Sequence, residues 1–291
     1  MTITKALIAA AGRGTRFLPV VKQYPKELVP ILSKPNIQYL VEEAIAAGLT
    51  DICIVQRPGE KNIEKYFTPD PELEKYLSDN NKLQYLESLK DIWSKAKLSF
   101  IDQDPSLPYG NASPALSALD FIGSDPFVYM FGDDLTVEDN VGSYLSDLIK
   151  LFQDKSADIV SAVQQVPIEE IHLYSSIQFD PSDPQRMLKV VEKVPKEEAP
   201  SNFTQLGRFV VSPKMLEVLK VLPTGQGNEL WWTDGVNKLA QTGLAYGLES
   251  PQNAWMTTGD PLRWLKANIR YALMDNSIKD NLKEYLKSLN L

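Results

Sequence analysis

The stretch that most constrains this chain is residues 5–30, KALIAAAGRGTRFLPVVKQYPKELVP. It opens with an apolar run, residues 5–10, long enough for a buried strand and too short for most helices. The run passes directly into Ala11-Gly12-Arg13-Gly14-Thr15-Arg16. Two glycines among small residues at a strand end let backbone N–H groups approach an anion with no Cβ in the way. Arg13, Arg16, Lys22 and Lys26 then follow in close succession. The chain as a whole is acidic, with a formal net charge of −8, so a local basic excess needs a reason. A polyphosphate supplies one. A plain glycine turn after a strand is the competing explanation. The segment has neither the third glycine of a dinucleotide fingerprint nor the G-K-[ST] ending of a Walker loop.

Composition bounds the rest. With 291 residues, 43% hydrophobic and 23% charged, the chain suits one large α/β domain, or a domain with a subdomain, around a substantial core. Its acidity argues against general nucleic-acid affinity, which needs a basic surface. Cys53 is the only cysteine, which excludes an internal disulfide and reads as a core residue in a reducing compartment. The N-terminal apolar segment is too short for a signal peptide. No apolar run approaches the roughly 18 residues of a membrane span, so a cytoplasmic protein is expected. His172 is the only histidine, which leaves no histidine-based triad and no protein-built zinc site. Any metal should be a hard cation held by carboxylates and phosphates.

Periodicity orders the elements. Ile37, Leu40, Val41, Ala44 and Ile45 have helical spacing, closed by Gly48, and residues 51–55 read as the next buried strand. Strand, helix, strand with apolar strands implies a parallel βαβ unit. Residues 60–97 read as a polar helical insertion with an apolar stripe that includes Leu83, Leu86, Leu89 and Trp93. A strand at 98–101, a helix over 114–121 capped by Ser113, a strand at 127–131, a helix around 145–152 and a strand at 158–163 continue the alternation. The fold predicted is α/β, a Rossmann-like, mixed, mainly parallel sheet flanked by helices. From about residue 165 the pattern becomes strands joined by Pro- and Asp-rich turns: 177–179, 187–194 and 205–211. Helices over 213–222 and 228–240, a strand at 244–248 and a helical tail over 261–289 complete it. One domain is expected over 1–291, with a nucleotide-binding half to about 164, a sugar-binding half over about 165–260 and C-terminal helices over about 261–291.

Two further constellations carry chemistry. Gly132-Asp133-Asp134 stands where a buried strand leaves the sheet, where open α/β sheets place ligands. A carboxylate there can hold Mg²⁺, although Asp and Gly also favour a simple turn. Val191-Glu192-Lys193 ends another strand. Its carboxylate can accept bonds from sugar hydroxyls while the ammonium neutralises a phosphate, or the pair can be an ordinary charged edge.

The pattern G-x-G-T-R-x-L-P-x-x-K-x-x-P-K-E-x-x-P over residues 12–30, with Gly132-Asp133, Val191-Glu192-Lys193, Gly207-Arg208-Phe209 and Thr233-Asp234, resembles the sugar-1-phosphate nucleotidylyltransferases. In detail it is similar to the bacterial UTP–glucose-1-phosphate uridylyltransferases, over about residues 4–275. The resemblance implies the nucleotide-diphospho-sugar transferase type of fold and transfer of a uridylyl group from UTP to glucose 1-phosphate. It implies Ala11, Gly12, Gly14, Thr15, Arg16 and Lys26 at the nucleotide, and Glu27, Gln103 and Gly110 near the base. It implies Asp133 as ligand to Mg²⁺, and Glu192, Lys193 and Ser175 at the sugar phosphate. Arg16, Lys26, Asp133 and Lys193 are the expected catalytic set. Gly207-Arg208-Phe209 and Thr233-Asp234 are expected to be scaffold. Small-molecule substrates, no nucleic acid, no membrane and a homo-oligomer are expected, although nothing in the sequence itself specifies an oligomeric state.

The chain departs from that pattern at three places. Gly110-Asn111-Ala112-Ser113-Pro114 stands where the family has G-L-G-H-A, and Tyr174-Ser175 where it has Y-G. Thr257 takes the place of the aspartate in a D-x-G motif that supplies the family's second acidic metal ligand, with Asp260 three residues on. These changes keep two alternatives open. One is a nucleotidyltransferase for another sugar phosphate or base, and the other a catalytically weakened, nucleotide-sugar-binding regulatory paralogue.

Overall fold

The computed structural model describes residues 2–289. The side chains at positions 88, 90–93 and 226 lie outside that description, and with them Trp93 of the expected apolar stripe. The chain begins with β1 (Lys5–Ala10), a two-stranded hairpin of β2 (Pro30–Ile31) and β3 (Lys34–Pro35), α1 (Asn36–Ala46) and β4 (Asp51–Gln56). The insertion forms α2 (Asn62–Tyr66), α3 (Pro71–Asp79) and α4 (Leu83–Ser94), then β5 (Lys97–Asp102). Next come α5 (Ser113–Ser117), α6 (Leu119–Ile122), β6 (Phe127–Phe131), β7 (Asp134–Thr136), α7 (Ser143–Asp154) and β8 (Ile159–Gln165). The second half contains β9 (Ser175–Asp180), β10 (Asp183–Glu192), β11 (Phe203–Val211), α8 (Lys214–Val221) and α9 (Trp232–Ala240). It ends with β12 (Ala245–Glu249), β13 (Trp255–Thr257), α10 (Pro261–Met274) and α11 (Lys279–Ser288).

Among the described residues, nine strands form one sheet in the order β5-β4-β1-β6-β11-β8-β12-β10-β9. β1 lies between β4 and β6 and is parallel to both. It is therefore covered on both faces, which is why its sequence is a continuous apolar run rather than an alternation. Only β11 and β10 run against the other strands. The sheet is thus mixed and mostly parallel, with helices on both faces.

Each face has its own core. On one, Ile37, Leu40, Val41 and Ala44 of α1 pack with Leu145 and Leu148 of α7 against Ile8, Ile54 and Val128. On the other, Met215, Leu216, Trp232 and Val236 of α8 and α9 pack against Leu7, Phe127, Tyr129 and Phe209. Cys53 is wholly buried there, and burial pushes its thiol up to about 11, so it is inert packing. Among the described residues no helix is long and apolar enough to cross a membrane.

Several boundaries differ from expectation. The expected 114–121 helix is two pieces, broken at Ala118. Ser113 is not its cap: its hydroxyl donates instead to the Pro108 carbonyl, tying down the preceding loop. The segment expected to be helical over 228–240 begins only at Trp232, because a separate turn at Gln226–Asn228 precedes it, with Gly227 in the left-handed region. β10 ends at Glu192, two residues early, since Lys193 adopts φ 47°. The tail breaks between Met274 and Lys279, where Asp275 accepts the Ser277 N–H at 2.8 Å.

Candidate active site

The ends of β1, β6 and β10 bring the candidate residues to one edge of the sheet. A cavity of about 350 Å³ is lined by Ala11, Gly12, Arg16 and Lys26 from the glycine loop, by Glu27 behind it, and by Gln103 and Gly110 on the far side. A second cavity, of about 550 Å³, is lined by Tyr174, Ser175, Glu192, Lys193, Thr233 and Thr257. Arg16, Asn111, Phe131 and Asp133 line both, so the two open onto each other at a cation and a carboxylate. Gly14 and Thr15 lie in the loop between Gly12 and Arg16, outside the residues lining either cavity. Gly14 has φ 60°, and a Cβ there would meet the Lys26 side chain at 3.1 Å, so this glycine lets the loop turn over the lysine. Of the other loop cations, Arg13 lines a neighbouring cavity with Arg57, and Lys22 points to solvent.

Lys26 Nζ donates to Asp133 Oδ2 at 2.6 Å. Burial works against the charge on Lys26, but Asp133 and then Glu27 outweigh it and hold the ammonium well above the ordinary lysine value. For Asp133, burial pushes the carboxyl up, and Lys26 more than offsets this, keeping it below the ordinary aspartate value. Asp134, its neighbour, is pushed up to about 6 by burial and by the charge on Asp133. Its Oδ2 accepts the Gly207 N–H at 2.9 Å, which commits it to the scaffold.

Glu27 is 1% exposed and neither carboxyl oxygen has a hydrogen-bond partner. Burial raises it to about 8, against the pull of Lys26. Gly110 has a packing reason of its own: at φ 149°, a Cβ would stand 2.2 Å from the Leu230 carbonyl oxygen. Leu230 is held there by donating its N–H to Tyr109 O at 2.8 Å and accepting from Ala112 N at 3.1 Å.

Around the second cavity, Glu192 Oε2 accepts the Thr233 hydroxyl at 2.8 Å. Burial raises the Glu192 carboxyl, and the Thr233 bond and Lys193 pull it back. Thr233, expected to be scaffold, thus orients a candidate site residue. Ser175 is 6% exposed, and its hydroxyl is engaged with Thr204 Oγ1 at 3.1 Å and the Gln205 N–H at 3.1 Å. The segment of Thr257 was not expected as a strand. It forms β13, an antiparallel ladder with β7 in which Thr257 faces Asp134. Thr258 clamps the Asp133 carbonyl with its N–H at 2.7 Å and its hydroxyl at 2.9 Å. Asp260, three residues beyond Thr257, is engaged elsewhere: it caps α10, accepting the Arg263 N–H at 3.0 Å and pairing with Arg263 Nε at 3.4 Å. Asn111 was noted only as a departure, yet its Oδ1 accepts the Trp232 N–H at 2.7 Å and fixes the start of α9.

A mostly parallel sheet with two joined cavities at its strand ends defines the nucleotide-diphospho-sugar transferase class of α/β protein. The chain belongs to the nucleotidyl transferase family, whose model matches residues 5–272. It is 37% identical to the UTP–glucose-1-phosphate uridylyltransferase of Bacillus subtilis (strain 168), over 99% of this chain and 97% of that protein. It is 36% identical to UTP–glucose-1-phosphate uridylyltransferase 2 of Staphylococcus saprophyticus, over 99% of each. Among solved structures, a UTP-bound UGPase from Acinetobacter baumannii superposes with a TM-score of 0.90 at 29% identity, covering 99% of this chain and 100% of that one. A UDP-glucose pyrophosphorylase complexed with UDP-glucose gives 0.82 at 30% identity, covering 94% and 100%.

Proposed function

We propose that this chain is a UTP–glucose-1-phosphate uridylyltransferase, converting UTP and glucose 1-phosphate to UDP-glucose and pyrophosphate. The observation that carries the reading is the junction of the two cavities at Arg16 and Asp133, with Lys26 on the nucleotide side and Glu192-Lys193 on the other. A phosphate oxygen of the sugar phosphate attacks the α-phosphorus in line. The new P–O bond forms as the bond to the β-phosphate bridging oxygen breaks, and pyrophosphate leaves with that electron pair. No covalent protein intermediate is needed, so the protein positions the reactants and neutralises charge. The first half of the chain, to about residue 164, serves the nucleotide, and the segment 165–260 serves the sugar.

In this reading the Ala11-Gly12 backbone and the side chains of Arg16 and Lys26 hold the triphosphate, while Gly14 and Thr15 shape their loop. Lys26 balances charge on the departing pyrophosphate. Glu27, Gln103 and Gly110 border the base. Glu192, held by Thr233, accepts sugar hydroxyls, Lys193 meets the sugar phosphate, and Ser175 walls the sugar side.

The donor set suits Mg²⁺ held sparingly by the protein. Among the described residues no group of three or more His, Cys, Asp or Glu could hold a metal ion, and only Asp133 offers a carboxylate at the junction. Mg²⁺ retains waters and is commonly bound through one or two carboxylates plus substrate phosphates, so Asp133 with the triphosphate is a fitting set. When bound, the ion supplies Lewis-acid stabilisation of charge on the phosphoryl oxygens.

Pyrophosphate release over a panel of nucleoside triphosphates and sugar 1-phosphates tests the proposal. The highest kcat/KM is expected for UTP with glucose 1-phosphate. Thr257, which leaves Asp133 as the lone carboxylate, favours the regulatory reading as the second choice. UDP-glucose binding with no pyrophosphate release from any pair would establish that reading instead.

A further inference from the structure

Lys193 is held in an unusual way. It follows directly on β10 and takes φ 47°, a left-handed backbone uncommon for a residue other than glycine. Its N–H donates to Tyr174 O at 2.9 Å, which fixes the turn. The turn brings Nζ to 4.5 Å from the centroid of the Trp231 ring, while Glu192 Oε1 stands 4.0 Å away. Glu192 is meanwhile engaged by Thr233. Among the described residues Nζ makes no hydrogen bond; the Glu192 carboxylate pairs with it loosely at 4.0 Å, and the indole face holds it from the other cavity at 4.5 Å.

The indole is itself anchored on both sides. Leu230 before it is paired to the Tyr109 and Ala112 backbone, and the Trp232 N–H after it donates to Asn111 Oδ1 at 2.7 Å. Trp231 lines the nucleotide cavity and Lys193 the sugar-side cavity. The contact therefore spans the boundary between them. An aromatic face attracts an ammonium through its quadrupole without supplying a counter-charge. A second carboxylate in the place of the indole, beside Glu192, would hold the lysine but cancel the charge a phosphate needs.

We propose that Trp231 is a positioning residue for Lys193, its indole face holding the ammonium at the boundary of the two cavities with its hydrogen-bond donors free for the sugar phosphate. The proposal rests on the reading that Lys193 meets that phosphate. The long lysine side chain, 42% exposed, would otherwise sample many rotamers. The aromatic face selects the one that points across the junction.

Steady-state kinetics of Trp231→Leu, Trp231→Phe, Lys193→Ala and the Trp231→Leu/Lys193→Ala double variant test it. Trp231→Leu should raise the KM for glucose 1-phosphate about five- to tenfold with the KM for UTP unchanged. Trp231→Phe, which keeps an aromatic face, should recover most of the loss. In the Lys193→Ala background Trp231→Leu should add nothing. Equal effects of Leu and Phe, a matching rise in the KM for UTP, or full additivity with Lys193→Ala would overturn the proposal. If Lys193→Ala leaves the KM for glucose 1-phosphate unchanged, the assignment of Lys193 to the phosphate is what fails. The clamp has its own readout in the NMR resonance of the Lys193 ε-methylene. Indole ring current should move it upfield in the native protein, and an ordinary position there would overturn the clamp whatever the kinetics.

Discussion

At the scale of single residues, the site is built on charges that hold each other in place until substrate arrives. The Lys26–Asp133 pair is short, and both side chains stay partly open, at 17% and 28% exposure. Replacing Lys26 with alanine removes the cation that the proposed function assigns to the departing pyrophosphate and takes from Asp133 its main ion-pair partner. Turnover should fall about 100- to 1,000-fold in a protein whose circular dichroism is unchanged. Near-native turnover would remove Lys26 from the mechanism. Glu27 makes a different prediction, about stability. Its folded value of about 8 lies above the ordinary 4.5 of a glutamate, because burial disfavours the carboxylate. The folded state therefore binds the proton more tightly than the unfolded chain does. Stability should fall as pH rises from about 4.5 to about 8 and then level off. Glu27→Gln does not titrate, so its melting temperature should gain on the native protein through that window. A difference that stays flat from pH 5 to pH 9 would sink this account.

At the scale of elements, the β7–β13 ladder decides how much negative charge the junction carries. Thr257 sits opposite Asp134, and a Cβ on Gly259 would approach Asp133 Oδ2 to 3.1 Å. An aspartate at 257 would thus add a carboxylate beside two existing ones. Thr257→Asp should melt earlier than the native protein in EDTA, because like charges are forced together. It should recover with Mg²⁺ and need less Mg²⁺ for half-maximal turnover. Unchanged melting in EDTA would place residue 257 elsewhere than the ladder does. This ladder also marks the limit of what the sequence discloses. The glycine loop, the Asp133 turn and Glu192-Lys193 stand out locally, each an apolar strand ending in small, charged or turn-forming residues. A plain turn or charged edge reads the same way, and only the family resemblance turns them into site expectations. β7 and β13 are three residues each, too short for a period to register. Ser113 looked like a cap because caps are judged from the residues that follow, whereas its actual partner, Pro108 O, precedes it in a loop. Thr233 on Glu192 and Trp231 beneath Lys193 join segments about forty residues apart. No periodicity encodes such a meeting; the fold makes it.

At the scale of the whole molecule, one buried ion pair ties α1 to the strand that reverses the sheet. Arg208 of β11 donates through Nε and Nη2 to Glu43 of α1 at 2.9 and 2.7 Å, and both are almost fully buried. The same guanidinium donates to the Gly207 and Asp134 carbonyls at 2.9 and 2.8 Å. It thereby fixes the peptide after Asp134, one residue beyond Asp133, from behind the site. This is why Gly207-Arg208-Phe209 belongs to the scaffold although it sits within reach of the chemistry. Such a pair is costly to break and can be cheap to replace, since removing one partner strands the other's charge in the interior. Glu43→Gln should therefore lose about 3–5 kcal/mol in urea unfolding with an unchanged slope. The double replacement Glu43→Leu with Arg208→Met should recover only part of that loss, because it removes the stranded charge but leaves two buried carbonyls without their donor. Its kcat should remain depressed even where it is fully folded, since the Asp134 carbonyl, one residue from the proposed metal ligand Asp133, is then no longer held. Full recovery of both stability and kcat would mean that the guanidinium bonds to the two carbonyls contribute nothing, and that the pair serves α1 and β11 alone.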